Sequence, residues 1–393
     1  MVFTEFEKRV ENRHQAAQEW KEKNQKPIVG YFCCVTPEEI ISAADILPVK
    51  ITGSSDVPDK AEEHVPRYAC GFLRSLLHEN KKGTYDYMDM FAVANTCDLM
   101  AKWEYWWRQS NPRPYNLIGG LDNSPHVVYI PYPEVVTGKK VEYYTEMHYR
   151  TFKQHIERLA HKEITDDMLS QAIEVYNKHY DLMDELDELR AQDPPLVTGY
   201  EAATAELASI FMPKVEHNEL MKEYLEEVRN RTDKPEAGVR IFLSSSAVDQ
   251  ESIQLYKIIE ECGGHVVCED ISAGSSHFTG VRLDTNKPPM AAIVERTLAT
   301  PCPRNTVRGT MSSPWPEYRW DYVNKCVSGQ NVQGVIFYTL GYCECRALDN
   351  PHLKDKFRDE LGIPSLFLDG DYTAETLEET RSRIQAFIEM IGD

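Results

Sequence analysis

No glycine-rich phosphate cradle occurs in this chain. Neither GxGxxG nor GxxxxGK[ST] is present, so it carries no dinucleotide fingerprint and no P-loop. Any ATP its function needs must be hydrolysed by another protein. GxSxG is missing too, which lowers the case for a serine hydrolase. There is no CxxC pair, so zinc-ribbon and bacterial-ferredoxin spacings are both absent. Histidines are scattered and give no metal spacing. The opening segment MVFTEFEKRVENRHQAAQEWKEKNQ lacks the apolar core of a secretory leader, and no run of about 18 uncharged apolar residues follows. These absences predict a cytoplasmic protein with no membrane span. Positive charge is also short: 43 Lys and Arg stand against 63 Asp and Glu, a formal net charge of −20. That argues against a nucleic-acid binder, whose surface must neutralise phosphates.

What is present is an α/β rhythm and ten cysteines in 393 residues, a length sufficient for two or three cores. Residues 1–25 read as one amphipathic helix with Phe6, Val10 and Ala17 on its inner side. A buried strand at Pro27–Cys34, a helix opened by Thr36-Pro37-Glu38-Glu39 and a strand at Leu47–Ile51 suggest a parallel α/β unit. Met88–Ala94 and His126–Ile130 extend the sheet. A long helix capped at Thr165 follows, with Leu169, Ile173, Tyr176, Tyr180 and Met183 at helical spacing. Strands at Val239–Leu243, His265–Asp270, Gly334–Tyr338 and Pro364–Leu368 then restore the rhythm. The fold expected is α/β: two open, mainly parallel-sheet domains at 1–139 and 236–393, joined by a helical segment at 140–235.

A reducing compartment keeps thiols reduced, so the cysteines are core residues, ligands or nucleophiles. In open α/β sheets, ligands gather where strands end and the following loops begin. Cys97 follows the strand through Val93, Cys343 follows the strand through Tyr338, and Cys70 precedes a helix whose N-terminus favours a thiolate. Cys33 and Cys34 also lie at a strand end. Cys262, Cys268, Cys302 and Cys326 stand in no motif and read as space-filling residues. Trp103, Tyr105, Trp106 and Trp107 tempt as a substrate-facing group, but core packing and interface explain them better.

The motifs point to one family. Thr36-Pro37-Glu38-Glu39-Ile40-Ile41-Ser42-Ala43-Ala44, Tyr68-Ala69-Cys70-Gly71-Phe72-Leu73-Arg74-Ser75 and Asn95-Thr96-Cys97-Asp98 occur in order along the chain. Gly341-Tyr342-Cys343-Glu344, Asn350-Pro351-His352-Leu353-Lys354, Gly362-Ile363-Pro364 and Thr380–Phe387 follow. The chain resembles the cluster-bearing catalytic subunits of the 2-hydroxyacyl-CoA dehydratase and benzoyl-CoA reductase superfamily over nearly its whole length. Two positions depart from the pattern: Glu344 stands where Asp is usual, and Cys345 replaces the expected Pro.

The resemblance implies a [4Fe–4S] cluster on three cysteines, carried here onto Cys70, Cys97 and Cys343, with Cys33 or Cys34 as runner-up for the first position. It implies an acyl-CoA substrate, a homologous second subunit, and an ATP-hydrolysing iron–sulfur activator protein. The lead reading is an oxygen-sensitive subunit of a radical 2-hydroxyacyl-CoA dehydratase. There one low-potential electron makes a ketyl radical that expels the 2-hydroxyl as hydroxide; the enoxy radical so formed loses its β-proton and then gives the electron back, leaving a 2-enoyl-CoA. The alternatives are a benzoyl-CoA reductase subunit, which dearomatises a ring, and an electron-relay subunit that never touches substrate. The proton-transfer residue is not identified; His64, His78, Glu38 and Glu104 are candidates by proximity to the motifs. If Cys70 and Cys97 belong to the first α/β domain and Cys343 to the second, the cluster bridges them in a cleft.

Overall fold

A computed structural model describes residues 2–110, 126–133, 139–246, 250–271, 282–300 and 315–392. Two four-stranded sheets organise it. The first holds β1 (Ile28–Tyr31), β2 (Leu47–Lys50), β3 (Met90–Ala94) and β4 (His126–Ile130) in the order β2-β1-β3-β4. The second holds β5 (Val239–Ser245), β6 (Gly264–Ile271), β7 (Gly334–Leu340) and β8 (Ser365–Gly370) in the order β6-β5-β7-β8. Every neighbouring pair is parallel. Counted from its own first strand each sheet runs 2-1-3-4, so the second repeats the design of the first. β1 and β7 are buried at every residue, which is why they read as unbroken apolar runs and not as alternating ones.

The helices are α1 (Phe3–Glu11), α2 (Arg13–Asn24), α3 (Glu38–Ala43), α4 (Gly71–Lys82) and α5 (Asp98–Ser110), followed by α6 (Lys139–Ala160), α7 (Asp166–Ala191), α8 (Gly199–Ala208) and α9 (Lys214–Arg229). α10 (Gln250–Glu261), α11 (Pro289–Ala299), α12 (Trp315–Val327), α13 (Glu344–Lys356) and α14 (Ala374–Gly392) accompany the second sheet. At the start of α7 the Met168 N–H donates to Thr165 Oγ1 at 3.3 Å, a side-chain cap. Leu169, Ile173, Tyr176, Tyr180 and Met183 are all buried along that helix. One large cluster of buried apolar residues draws on both sheets and the middle helices. A smaller one, including Phe242, Trp320, Val335, Phe337 and Phe357, fills the other face of the second sheet. Among the described residues no helix is long and apolar enough to cross a membrane.

The single helix expected at 1–25 is two. The chain breaks at Asn12, whose Nδ2 donates to Lys8 O at 3.1 Å, a local bond that competes with the helical ladder. Arg13 then turns inward, where its guanidinium meets Thr52 Oγ1 at 3.0 Å and Gly53 O at 2.9 Å. Phe6, Val10 and Ala17 remain buried as the pattern requires. The aromatic run on α5 divides by face. Trp103 and Trp107 are fully buried against Phe32 and Phe91, with centroids 5.6 and 4.3 Å apart, while Tyr105 is exposed. Packing therefore accounts for the two buried indoles.

Candidate functional site

In a parallel α/β unit a helix begins at the edge where its strand ends, so helix N-termini collect along the C-terminal edge of the sheet. Cys70 is the N-cap residue of α4 and Cys343 that of α13. Cys97 immediately precedes α5, where the Met100 N–H donates to its Sγ at 3.4 Å and the Ala101 N–H to its carbonyl at 3.0 Å. Each of the three cysteines thus sits at the positive end of a helix, the end that favours a thiolate. Each lead-in is tightly folded. The Ala69 N–H donates to Pro66 O at 2.9 Å before Cys70, and the Cys343 N–H to Leu340 O at 2.9 Å after β7. The β7 turn passes through Tyr342 at φ 64°, an uncommon conformation for a side-chain-bearing residue.

The two sheets meet at this point. The Asp98 N–H, at the start of α5, donates to Glu344 Oε1 on α13 at 3.0 Å. Arg74 on α4 donates its Nε–H to Ala69 O at 3.1 Å and pairs its guanidinium with Asp371, just past β8. A Cβ added at Gly71 would stand 2.8 Å from Asp371 O, so only glycine lets α4 come this close to the second sheet. Across this junction the charge of Cys343 acts on both Cys70 and Cys97. Burial pushes the Cys70 thiol up to about 12, and the charge of Cys343 adds to it against the Leu73 N–H and Arg74. Burial likewise pushes Cys97 up to about 12, partly relieved by the Met100 N–H and reinforced by Cys70 and Cys343. As thiolates these groups need a cation among them.

Their spacing is wide. Among the described residues only Asp56, His78 and Glu79 bring three potential ligand atoms within 4.8 Å of one another. Three sulfurs on a single tetrahedral ion would sit roughly 3.8 Å apart, given metal–sulfur bonds of about 2.3 Å. The three cysteine sulfurs do not all lie within 4.8 Å of one another, so as placed they are more open than one ion asks. The Asp56, His78 and Glu79 group already has its counter-ion: Lys82 Nζ lies 2.8 Å from Asp56 and 2.9 Å from Glu79.

The remaining cysteines fall elsewhere. The Sγ atoms of Cys33 and Cys34 are 3.9 Å apart, and neither residue is among the strongest influences on Cys70 or Cys97. The Cys34 thiol, followed by Thr96 and Lys50, outweighs burial and pulls Cys33 down to about 6. In metal-free protein Cys33 is expected to be the first thiol alkylated by iodoacetamide at pH 7, with a rate that falls as the pH drops below about 6. Mass mapping of time points checks this; prior labelling of Cys268 would contradict it. Cys268 is buried in the second core with Cys326 packed against it, and Cys262 is half-buried against the first. Cys302 lies outside the described residues. The nine described cysteines form no disulfide.

Of the candidate proton-transfer residues, two are held in ion pairs and a third lies beside a carboxylate. Glu38 is buried with Lys214 Nζ at 3.2 Å and accepts from the Tyr176 hydroxyl at 3.2 Å. Glu104 pairs with Arg108 one turn along α5, and His78 Nδ1 lies 3.1 Å from Asp59. His64, in the loop before Cys70, keeps a buried Nε2 with no hydrogen-bond partner among the described residues.

Two supports escaped the sequence. One is the Arg74–Asp371 strap, whose partners are 297 residues apart. The other is a buried network of Asp270 at the end of β6, Arg319 on α12, and Arg346 and Asp349 on α13. Arg346 Nη1 reaches Asp270 Oδ2 at 2.5 Å, Arg319 pairs with the same carboxylate, and Arg319 Nε reaches Asp349 Oδ2 at 2.7 Å. It clamps the helix that Cys343 caps; the only sequence signal is the spacing Cys343, Arg346, Asp349 along one helix. Asp371 is half-exposed, so Arg74→Ala is expected to cost only about 1 kcal/mol in urea unfolding. It should also speed labelling of Cys70 in metal-free protein. Unchanged labelling would remove the strap from the account.

Cys70, Cys97 and Cys343 thus lie at helix N-termini where the two parallel sheets adjoin. The chain belongs to the 2-hydroxyglutaryl-CoA dehydratase D-component family, whose model matches residues 33–391. It is 26% identical over 392 residues to the (R)-phenyllactyl-CoA dehydratase beta subunit of Clostridium sporogenes, covering 99% of this chain and 98% of that one. It is 25% identical over 348 residues to a benzoyl-CoA reductase subunit of Thauera aromatica, covering 87% and 85%. The beta subunit of (R)-2-hydroxyglutaryl-CoA dehydratase of Acidaminococcus fermentans is 22% identical over 370 residues, 93% of each. All three relatives are subunits of larger enzymes by name.

Proposed function

We propose that this chain is the iron–sulfur subunit of an ATP-activated radical 2-hydroxyacyl-CoA dehydratase, holding a [4Fe–4S] cluster on Cys70, Cys97 and Cys343. The observation that carries the reading is the meeting of three cysteines, each at a helix N-terminus, where the edges of the two sheets adjoin. Soft thiolates at wide spacing suit a cubane, and the helix ends offset part of its negative charge. Such a cluster, when bound, supplies a low-potential electron and, where one iron stays open, a Lewis-acid position for a thioester carbonyl. The chain's own residues aim the thiols and keep water away: Arg74 ties the Cys70 loop to Asp371, Glu344 ties α13 to α5, and the Asp270 network fixes α13. The 1–139 and 236–393 segments act as two domains with the 140–235 helices between them. The enzyme works in the reducing cytoplasm, where its ten cysteines stay reduced.

With no P-loop of its own, the chain draws its electrons from an ATP-hydrolysing iron–sulfur activator and works beside a homologous subunit that completes the acyl-CoA site. The isolated chain is therefore expected to be inactive, and to gain activity only with that subunit, the activator and ATP. Turnover by the chain alone with a mild reductant would contradict this. The likeness to a benzoyl-CoA reductase subunit favours one second reading, ring reduction. Electron demand separates the two: a dehydratase returns its electron after each cycle, whereas a reductase consumes two per product. Steady reductant consumption in proportion to product would overturn the dehydratase reading.

A further inference from the structure

β1 ends at Tyr31, and two residues later the chain carries adjacent cysteines, Cys33 and Cys34. On a continuing strand their side chains would point to opposite faces. Here the strand has already stopped. The Thr36 N–H donates to Cys33 O at 3.0 Å and closes a four-residue turn. That turn brings both thiols to one side, with their Sγ atoms 3.9 Å apart. The two sulfurs differ in access: Cys34 is 2% exposed and packed in the core, whereas Cys33 keeps part of its surface open. Thr96 and Lys50 also favour the thiolate of Cys33. Neither sulfur has a part in the centre proposed above.

From this geometry we infer that Cys33 and Cys34 form a reversible oxidation site for a small hydroperoxide, with Cys33 the attacking sulfur and Cys34 the resolving one. The Cys33 thiolate attacks one oxygen of hydrogen peroxide. The O–O bond breaks, hydroxide leaves, and Cys33 becomes a sulfenic acid. The Cys34 sulfur, already in contact, then attacks the sulfur of Cys33. The S–S bond forms, the S–O bond breaks, and the oxygen leaves as water with the Cys34 proton. Two thiols lose two electrons to the peroxide, and the products are one disulfide and two waters. A disulfide closed between neighbouring residues is strained, and strained disulfides are the readily reduced ones. Ordinary thiols therefore reset the site.

The test treats anaerobically purified full-length protein with rising amounts of hydrogen peroxide, stops the reaction with catalase, and alkylates in denaturant. Cys33 and Cys34 are the only cysteines between Lys23 and Lys50, so one tryptic peptide reports on both. That peptide is expected to escape alkylation and to weigh less by two hydrogens, at peroxide levels that leave Cys262 alkylated. Reduced glutathione should restore both thiols. In Cys34→Ser, where no partner resolves the intermediate, dimedone should trap Cys33 as the sulfenic acid. A wild-type peptide still alkylated at both positions once Cys262 is oxidised would overturn the inference. So would Cys33 recovered in a disulfide with any cysteine other than Cys34. If Cys34→Ser does not fold, the wild-type peptide alone decides. The readout does not involve iron, so the cluster reading stands or falls separately.

Discussion

Replacing Cys70, Cys97 or Cys343 singly by Ser is expected to take the anaerobic protein from about four irons per chain to near none, with loss of its brown colour. Serine is isosteric but its hydroxyl is a hard donor that stays protonated, so it does not replace the soft anionic sulfur a cluster iron needs. Each of the three thiols comes from the start of a different helix. Cys262→Ser, half-buried against α14 at Arg381, should leave iron content unchanged. The comparison is made by iron analysis and visible absorption, with circular dichroism to show that each variant is folded. A folded Cys97→Ser or Cys343→Ser variant that keeps full iron would remove that residue from the ligand set.

The largest effect on stability is expected at Asp270, which receives Arg319 and Arg346 in a site closed to water. Burial alone would raise its carboxyl, but the two guanidiniums together outweigh burial and hold it well below the usual carboxylate range. Asp270→Ala leaves two buried guanidiniums with Asp349 as the one carboxylate that receives them among the described residues, and should destabilise the chain by about 3–5 kcal/mol in denaturant unfolding. The pH dependence follows from the depressed pKa. The contribution of Asp270 is fully present above its unfolded value near pH 4, and is lost as the pH falls toward the folded one. The mutational loss should therefore shrink on acidification. Because the network clamps α13, the variant should also hold the Cys343 loop less firmly. A loss under 1 kcal/mol at pH 7 would mean that water or a shifted neighbour compensates the arginines.

Much of the fold was legible because local signals and burial agree. Ile28–Tyr31 and Gly334–Leu340 are buried on both faces, and unbroken apolar runs announce this. Thr165 caps its helix with the side chain its position predicts. The helix break at Asn12 was not legible, because what draws Arg13 inward is Thr52 and Gly53 in a different element. The site divides the same way. Cys97 and Cys343 announce themselves at strand ends, where a parallel sheet gathers its ligands. Sequence spacing could not reveal that Glu344 meets the start of α5, nor that Arg74 meets Asp371. Those contacts join residues hundreds of positions apart, and only the packing of one sheet's edge on the other brings them together.

The account turns on whether a cubane cluster sits where these cysteines meet, and Mössbauer spectroscopy with iron counting on anaerobically purified, 57Fe-enriched wild-type protein measures that directly. About four irons per chain in one diamagnetic [4Fe–4S]2+ cluster, reducible to a paramagnetic state, is the result expected. Folded protein that supports full activity with its partner subunit and activator while holding no iron would contradict the account.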